Sequence, residues 1–268
     1  MKKYFALLLT LVMAAGILLT AGCGGEKQQE KPQPKAKVTL RLAAAASLEQ
    51  VFNKKLIPMF CQKHPEVTVE STYDSSGKLQ MQIEQGLNAD VFMSAAMKQM
   101  QALDKKGYMD SATVTPLLEN KLVLIVPAEG KSTVAGFNDL AQAQRPAIGD
   151  PKSVPAGQYA KECLTKLQLW DEVSKKASLG TNVTEVLHWV AEGSADAGLV
   201  YATDAASTPK VKVVAEAPAG SLSKPVIYPV GVLKKAPQPQ YAKDFAAFLQ
   251  TEEALAAFRE YGFAVAKK

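Results

Sequence analysis

The sequence predicts an α/β fold in which parallel strands alternate with crossover helices. After residue 37, short β-rich runs alternate with segments of helical periodicity. Leu122–Pro127 and Ala197–Tyr201 are almost wholly apolar, as strands buried on both faces are. Residues 48–60 instead repeat their apolar side chains every three or four positions. This alternation favours strand–helix–strand units with right-handed crossovers.

The predicted strands are short runs rich in apolar and β-branched residues, bounded by turn or charged residues. The first, 38–42, alternates apolar and polar side chains, whereas the later strands are more continuously apolar. In chain order the predicted strands are residues 38–42, 67–73, 90–94, 122–127, 147–149, 197–201, 211–215 and 226–233.

The predicted helices are the longer segments with apolar residues on one helical face. Ser47 is a suitable N-cap for the first, and Gly86 and Gly107 end the second and third. In chain order the predicted helices are residues 48–60, 79–87, 97–103, 157–169, 183–191, 241–250 and 252–261.

The N-terminal 37 residues predict export and lipid anchoring. Lys2 and Lys3 precede an apolar run that ends in the small residues before Cys23. This pattern predicts a lipoprotein signal peptide over 1–22, with Cys23 as the lipidated residue. Residues 23–37, which include GGEKQQEKPQPKAK, are polar and predict a flexible tether. No later run of about 18 apolar residues occurs. We therefore expect an extracytoplasmic protein anchored at the cell membrane.

Charge distribution and cysteine spacing argue against nucleic-acid binding and against a metal site made of cysteines. The chain has 268 residues, 47% of them hydrophobic, and a formal net charge of +5. Its lysines are interspersed with acidic residues, so nucleic-acid binding is not expected. Beyond Cys23, only Cys61 and Cys163 remain, without metal-binding spacing. Buried free thiols are the first interpretation, and a disulfide between them is the alternative.

Donor-rich segments lie where predicted strands pass into helices. They contain small residues, hydroxyls and the first turns of helices, whose N–H groups suit an anion. Because strand C-termini share one edge of a parallel sheet, a ligand is expected there. The segments are 43–49, 73–79, 149–160, 180–185 and 198–204.

The sequence gives little support for catalysis. Ser75-x-x-Lys78 has the spacing of a nucleophile–base pair, but Ser221-x-x-Lys224 repeats it by chance. The partner motifs of serine acyl enzymes are absent, as are nucleotide-binding and zinc-protease motifs. We predict that the chain is not an enzyme and needs no cofactor. An exported hydrolase that uses Ser75 or Ser76 stays the alternative from another class.

Together these segments resemble the periplasmic molybdate- and tungstate-binding proteins of ABC transporters. The matching stretches include AAAASLEQVF, SSGKLQMQIEQGLNADVFMSA, GDPKSVPAGQYAKECL, NVTEVLHWVAEGSADAGLVYATDA, YPVGVL and FREYGF. The resemblance covers residues 38–263. It implies a two-lobed type II periplasmic-binding-protein fold, with mixed, mostly parallel sheets, a hinge and an interlobe cleft. Lobe 1 would comprise 38–119 plus 225–268, and lobe 2 would comprise 120–224.

The resemblance also implies a ligand set. Ser47 and Ser76 of lobe 1 would donate from O–H and N–H groups. In lobe 2, Ala156 and Val183 would donate from backbone N–H groups, and Tyr201 from its hydroxyl. The ligand would be the molybdate or tungstate oxyanion, without direct protein ligands to the metal. The implied protein is a monomer that delivers the anion to an ABC permease. Binding of another oxyanion such as sulfate, or of an amino acid, is the alternative.

The sequence departs from the pattern of this family at three positions. Thr184 replaces a common arginine, Ala96 replaces a common acidic residue, and Asp74 replaces a small residue before the serine pair. None coincides with an implied ligand residue. Asp74 would repel an anion if its carboxylate pointed into the cleft.

Overall fold

Two mixed β-sheets form the framework of the computed structural model, which describes residues 37–130 and 132–267. The first sheet has the strand order β11-β4-β10-β3-β1-β2, and the second has β7-β6-β8-β5-β9. The strands are β1 Val38–Ala45, β2 Val67–Asp74, β3 Val91–Met93, β4 Thr115–Asn120, β5 Leu122–Pro127, β6 Pro146–Gly149, β7 Ser178–Gly180, β8 Ala197–Tyr201, β9 Val211–Glu216, β10 Val226–Val232 and β11 Ala264–Val265.

Helices connect most of these strands. The α-helices are α1 Glu49–Val51, α2 Ile57–Lys63, α3 Ser76–Glu84, α4 Met97–Lys105, α5 Pro155–Lys166, α6 Trp170–Ser174, α7 Val183–Ala191, α8 Ala202–Ala206, α9 Pro239–Phe248 and α10 Glu252–Glu260. Short 3-10 segments cover Ala46–Leu48, Ser111–Thr113 and Phe137–Gln142. No helix of the described residues is long and apolar enough to cross a membrane.

The central strands are buried on both faces. Leu122 and Leu124 of β5 pack into one apolar cluster, whereas Val123 and Ile125 pack into another. Successive side chains of a strand point to opposite faces, so both faces of the sheet are covered. Burial on both faces explains why the strand sequence is apolar without interruption.

Antiparallel pairing is more extensive than the sequence predicts. Strands β1, β2 and β3 pair in parallel, as do β6, β7 and β8. Strands β4, β5, β9, β10 and β11 instead make antiparallel pairs. The chain passes from one sheet to the other between β4 and β5 and between β9 and β10. These four strands therefore run antiparallel to the neighbouring strands of the parallel set in each sheet or to one another.

The chain changes sheet at two places. Lys121 alone separates β4 from β5, and residues 217–225 lead from β9 back to β10. The sheets thus divide the chain close to the predicted lobe boundaries at 119/120 and 224/225. The described part of the chain nevertheless forms one compact unit. The lobe boundaries stay a prediction.

The first predicted helix contains an irregular turn. A π-helical segment, Phe52–Leu56, lies between α1 and α2, and the N–H of Ile57 bonds to the carbonyl of Phe52. Pro58 has no N–H to donate to the residue four positions earlier. The wider turn accommodates that missing donor within a continuous helical path.

Candidate functional site

Two predicted site residues follow neighbouring parallel strands of the first sheet. Strand β1 pairs with β2, and Ala45 lies opposite Asp74. Ser47 and Ser76 each come two residues after this pair. The register therefore brings both serines to the same edge of the sheet.

The serine pair at the start of α3 offers two hydroxyls. Ser76 is fully buried, and its Oγ accepts the backbone N–H of Ala95 at 2.9 Å. Its own hydroxyl proton is left to donate. Ser75 is also buried, and its Oγ has no hydrogen-bond partner among the described residues. Of these two serines, the resemblance implied only Ser76 as a ligand residue.

The other three predicted residues follow parallel strands of the second sheet. Strand β6 lies between β7 and β8, with Gly149 opposite Gly180 and Ala147 opposite Gly198. Ala156 follows β6, Val183 follows β7, and Tyr201 ends β8. These residues consequently share one edge of the second sheet.

Ala156 and Val183 present backbone N–H groups at helix starts. Ala156 is the second residue of α5 and Val183 is the first of α7. At such positions an N–H has no acceptor within its helix. The side chain of Asn182 caps α7 by accepting the N–H of Glu185 at 3.0 Å, which leaves the N–H of Val183 outside that cap. Both helix starts carry partial positive charge and suit an anion.

Close packing explains the glycine that follows Ala156. A Cβ on Gly157 would lie 2.5 Å from the carbonyl carbon of Gly149 and overlap its oxygen. Helix α5 therefore starts directly against the end of β6. A larger residue would push the N–H groups of the first turn away from the sheet edge.

Tyr201 supplies a buried hydroxyl without a well-placed partner. The residue is 1% exposed, and its hydroxyl makes no hydrogen bond of good geometry to any described residue, although the Tyr228 hydroxyl is close enough to interact with it. Burial raises the pKa of Tyr201 well above its usual range, and the neighbouring Tyr228 raises it further. The group thus stays protonated and can donate. A buried polar atom without a partner is costly, so it calls for a functional explanation.

A buried polar cluster connects the two edges. Tyr228 of β10 lies 3.0 Å from Ser47 through its hydroxyl, and its ring meets the Tyr201 ring edge-on at 5.5 Å. Asn120 Nδ2 donates to Thr203 Oγ1 at 2.9 Å and to the Tyr228 hydroxyl at 3.3 Å. Ser47 and Tyr201 therefore both lie next to Tyr228.

Sequence reasoning missed the roles of Tyr228 and Asn120. The stretch YPVGVL was recognised as part of the resemblance, but its tyrosine had no assigned partner. Asn120 ends β4, a strand that was not predicted. A tyrosine within a buried strand was the only local signal, because buried tyrosines usually hydrogen-bond.

A second set of contacts connects the first turn of α3 with α5. Gly77 donates its N–H to the carbonyl of Ser153 at 2.9 Å. Gln99 of α4 donates to the side-chain oxygen of Gln158 in α5 at 3.1 Å. The serine pair of the first sheet and the helix start at Ala156 thus belong to one region.

The carboxylate of Asp74 is compensated locally. It accepts the backbone N–H of Ser75 at 2.7 Å and lies 3.4 Å from Lys78 Nζ. Its charge is therefore balanced by a cation one helical turn away. Repulsion of an anion by Asp74 at the serine pair is therefore reduced.

Asp204 is a second acid near the site. It is 5% exposed, and its Oδ2 accepts the backbone N–H of Tyr201 at 3.1 Å. Burial raises the pKa of Asp204 to about 7, against the smaller effect of that hydrogen bond. The acid is therefore largely protonated in weakly acidic solution.

Neither cysteines nor acidic clusters form a metal site within 37–130 and 132–267. Cys61 and Cys163 are free, Cys163 fully buried and Cys61 partly so. Burial raises the pKa of both thiols. In this part of the chain, no group of three or more His, Cys, Asp or Glu side chains is arranged to hold a metal ion.

Two β-sheets with helices between their strands are joined by two chain crossings, and each has a donor-rich edge. This arrangement is typical of a solute-binding protein. Residues 40–264 match the sequence profile of the bacterial extracellular solute-binding protein family. The chain belongs to this family.

Relatives agree over nearly the whole chain. It is 41% identical to YvgL of Bacillus subtilis, provisionally named an ABC transporter substrate-binding lipoprotein, over 98% of each chain. It is 38% identical to the molybdate-binding protein ModA of Haemophilus influenzae, over 85% of this chain and 90% of that protein.

Solved structures confirm the predicted periplasmic-binding-protein fold. The substrate-binding domain of a provisionally named molybdenum ABC transporter from Clostridium difficile is 38% identical, with a TM-score of 0.65, over 85% of this chain and 99% of that one. The periplasmic molybdate-binding protein of Azotobacter vinelandii has a TM-score of 0.75 at 22% identity, over 85% and 100% of the two chains.

Proposed function

We propose that this solute-binding protein captures molybdate or tungstate and delivers it to an ABC importer. The observation that carries the proposal is the buried hydroxyl of Tyr201, which has no well-placed partner among the described residues. Tyr201 ends a strand beside two helix starts. A tetrahedral oxyanion at this edge would accept that hydroxyl and the N–H groups of Ala156 and Val183. From the first sheet it would accept donors of Ser47 and Ser76.

Neutral donors suit this ligand class. A fully ionised oxyanion presents acceptors alone, so each donor can be satisfied without a protein acceptor in return. Hydrogen bonds to charged groups contribute roughly 1.5–3 kcal/mol each, so about six to eight of them can hold a dianion away from water. Fixed donor spacing would favour molybdate and tungstate over the smaller sulfate.

The geometry favours binding over hydrolysis. Lys78, the only base that the serine motif offers, lies 3.4 Å from the Asp74 carboxylate. Ser76 Oγ accepts a backbone N–H rather than facing a base. A serine nucleophile needs an adjacent base to lose its proton. We therefore propose that the chain acts without catalysis and without a cofactor.

Capture would proceed by closure of the two proposed lobes, 38–119 plus 225–268 and 120–224. The two sheet crossings, at Lys121 and at 217–225, would act as the hinge. The closed form would then dock on the permease. The names of relatives support this assignment, since the H. influenzae protein is called molybdate-binding and the B. subtilis protein is called an ABC transporter lipoprotein.

Membrane attachment would depend on Cys23. The signal segment 1–22, Cys23 and most of the tether lie outside the described residues. YvgL is provisionally named a lipoprotein, and this name supports the proposed anchor. Detergent phase partition of the full chain tests it. Wild type should enter the detergent phase and Cys23→Ala should not; equal partition of both would contradict lipidation at Cys23.

Calorimetric titration tests the ligand. Molybdate and tungstate should bind more tightly than sulfate or phosphate at equal ionic strength. Sulfate binding as tight as molybdate binding would contradict size selection. Binding of an amino acid instead of any oxyanion would replace the proposed ligand class.

A further inference from the structure

A line of hydrogen bonds runs from the backbone to Ser47. The N–H of Lys121 donates to Asn120 Oδ1 at 2.8 Å. Asn120 Nδ2 lies 3.3 Å from the Tyr228 hydroxyl, which in turn lies 3.0 Å from Ser47 Oγ. The line begins where the chain passes between the sheets and ends at a proposed ligand residue.

The direction of each bond follows from its chemistry. A backbone N–H can only donate, so the side-chain oxygen of Asn120 must face Lys121 and its amide nitrogen must face the other way. That nitrogen has two protons, which go to Thr203 Oγ1 and to the Tyr228 hydroxyl. The oxygen of Tyr228 is therefore an acceptor from Asn120.

This leaves Tyr228 to donate to Ser47. The tyrosine carries a single hydroxyl proton, and Ser47 Oγ at 3.0 Å is the other residue, besides Asn120, with which its oxygen makes a hydrogen bond of good geometry among the described residues. The Tyr201 hydroxyl also lies beside Tyr228, but in the proposed function its proton goes to the ligand. Tyr228 is fully buried, Asn120 is 6% exposed and Thr203 is 7% exposed. Bulk water is thus excluded from Asn120, Thr203 and Tyr228, and it does not compete for the protons that Asn120 and Tyr228 donate.

We propose that Tyr228, oriented by Asn120, is a positioning residue that makes the hydroxyl of Ser47 a donor toward a fully deprotonated tetrahedral oxyanion. The proposal rests on the proposed function. Because Ser47 Oγ accepts from Tyr228, its own proton is left for the ligand. A serine with a free rotor would instead lose orientational freedom on binding.

The hydrogen bonds of Asn120 also depend on the relative position of the two sheets. Asn120 ends β4 of the first sheet, whereas Thr203 lies in α8, which follows β8 of the second. The two protons of one amide therefore bond to both sides of the sheet crossing. Separation of the sheets would break the bond from Asn120 to Thr203 and leave the amide of Asn120 less firmly held. Tyr228, and with it Ser47, is therefore oriented best when the cleft is closed.

A double-mutant cycle tests whether Tyr228 acts through Ser47. Molybdate affinity is measured by calorimetry in wild type, Tyr228→Phe, Ser47→Ala and the double variant. Tyr228→Phe should weaken binding about three- to tenfold in wild type. In the Ser47→Ala background, the same change should have less than a twofold effect, since the residue it positions is gone. Equal effects in both backgrounds would overturn the proposal.

Tyr108→Phe is the matched control for loss of a tyrosine hydroxyl. That hydroxyl bonds to the carbonyl of Glu84 at 3.3 Å, away from the line of bonds. Its removal should leave affinity unchanged. Circular dichroism of each variant before titration identifies a variant that fails to fold.

A ligand-free readout keeps the two proposals separable. In the NMR spectrum of the free protein, the Tyr228 hydroxyl proton should show a nuclear Overhauser contact to the β-protons of Ser47. In Asn120→Asp the carboxylate can only accept, so the proton should turn to residue 120 and the Ser47 contact should weaken. A wild type that binds no oxyanion yet shows this pattern would refute the proposed function alone. An unchanged contact in Asn120→Asp would refute the positioning role.

Discussion

The backbone N–H of Gly77 donates to the carbonyl oxygen of Ser153 at 2.9 Å, and this bond joins the first turn of α3 to the loop before α5. The approach is close enough to exclude a side chain. A Cβ on Gly77 would overlap that oxygen and lie 2.8 Å from the Cα of Ser153. In the proposed mechanism, this contact forms only when the two lobes close.

Gly77→Ala should therefore weaken ligand binding by keeping the lobes apart. Overpacking of this kind costs about 1–3 kcal/mol, which corresponds to a loss of affinity of roughly five- to 150-fold. Calorimetry gives the affinity, and small-angle scattering with ligand should show a larger radius of gyration than wild type. Gly136→Ala is the control, because a Cβ there has no atom within 4 Å. Wild-type affinity in Gly77→Ala would show that closure does not need this contact.

The two serines at the start of α3 should respond differently to alanine. Ser76→Ala leaves the buried N–H of Ala95 without an acceptor, so it should lower the free energy of unfolding by about 1–3 kcal/mol as well as weaken binding. Ser75→Ala removes a hydroxyl that has no partner, so it should not destabilise the free protein. Urea unfolding and calorimetry of both variants make the comparison. A larger stability loss in Ser75→Ala would contradict these hydrogen-bond assignments.

Asp204 should make the stability depend on pH. The folded protein keeps this proton up to about pH 7, whereas an unperturbed aspartate releases it near pH 3.8. Between these values the folded state binds more protons, so the contribution of Asp204 to stability falls as pH rises. The loss is on the order of 4 kcal/mol.

Asp204→Asn tests this dependence without removing the acceptor for the N–H of Tyr201. The variant should gain stability relative to wild type as pH rises from 4 to 8. Urea unfolding across that range measures the difference. A constant difference between the two proteins would mean that Asp204 titrates normally in the fold.

Much of the fold follows from local pattern. The bounds of β5, α7 and β8 agree with the predicted 122–127, 183–191 and 197–201, because continuous apolar runs and clear helical periodicity leave little choice. Strand β4 was not predicted. Its sequence TPLLEN contains Pro116, which lies opposite Pro229 where the pairing register shifts. Because proline interrupts the β pattern at this bulge, the strand cannot be identified from its own sequence without its partner strand.

The candidate site was predictable in part. Strand-to-helix segments can be recognised from hydroxyls, glycines and helix starts, and the structure brings them to two sheet edges. The polar cluster of Asn120, Thr203 and Tyr228 was not predictable, since its members are separated by up to 108 positions. Long-range pairing sets such contacts, and nothing local in the sequence encodes them.

The most direct test of the account is calorimetry of wild type and Tyr201→Phe with molybdate, combined with urea unfolding of both ligand-free proteins. Opposite effects on ligand binding and on stability are expected. Loss of the hydroxyl should weaken binding about tenfold or more, because a bond to a charged ligand is lost. The ligand-free variant should be at least as stable as wild type, because a buried hydroxyl without a partner is removed. Unchanged molybdate affinity, or no molybdate binding by wild type, would contradict the account.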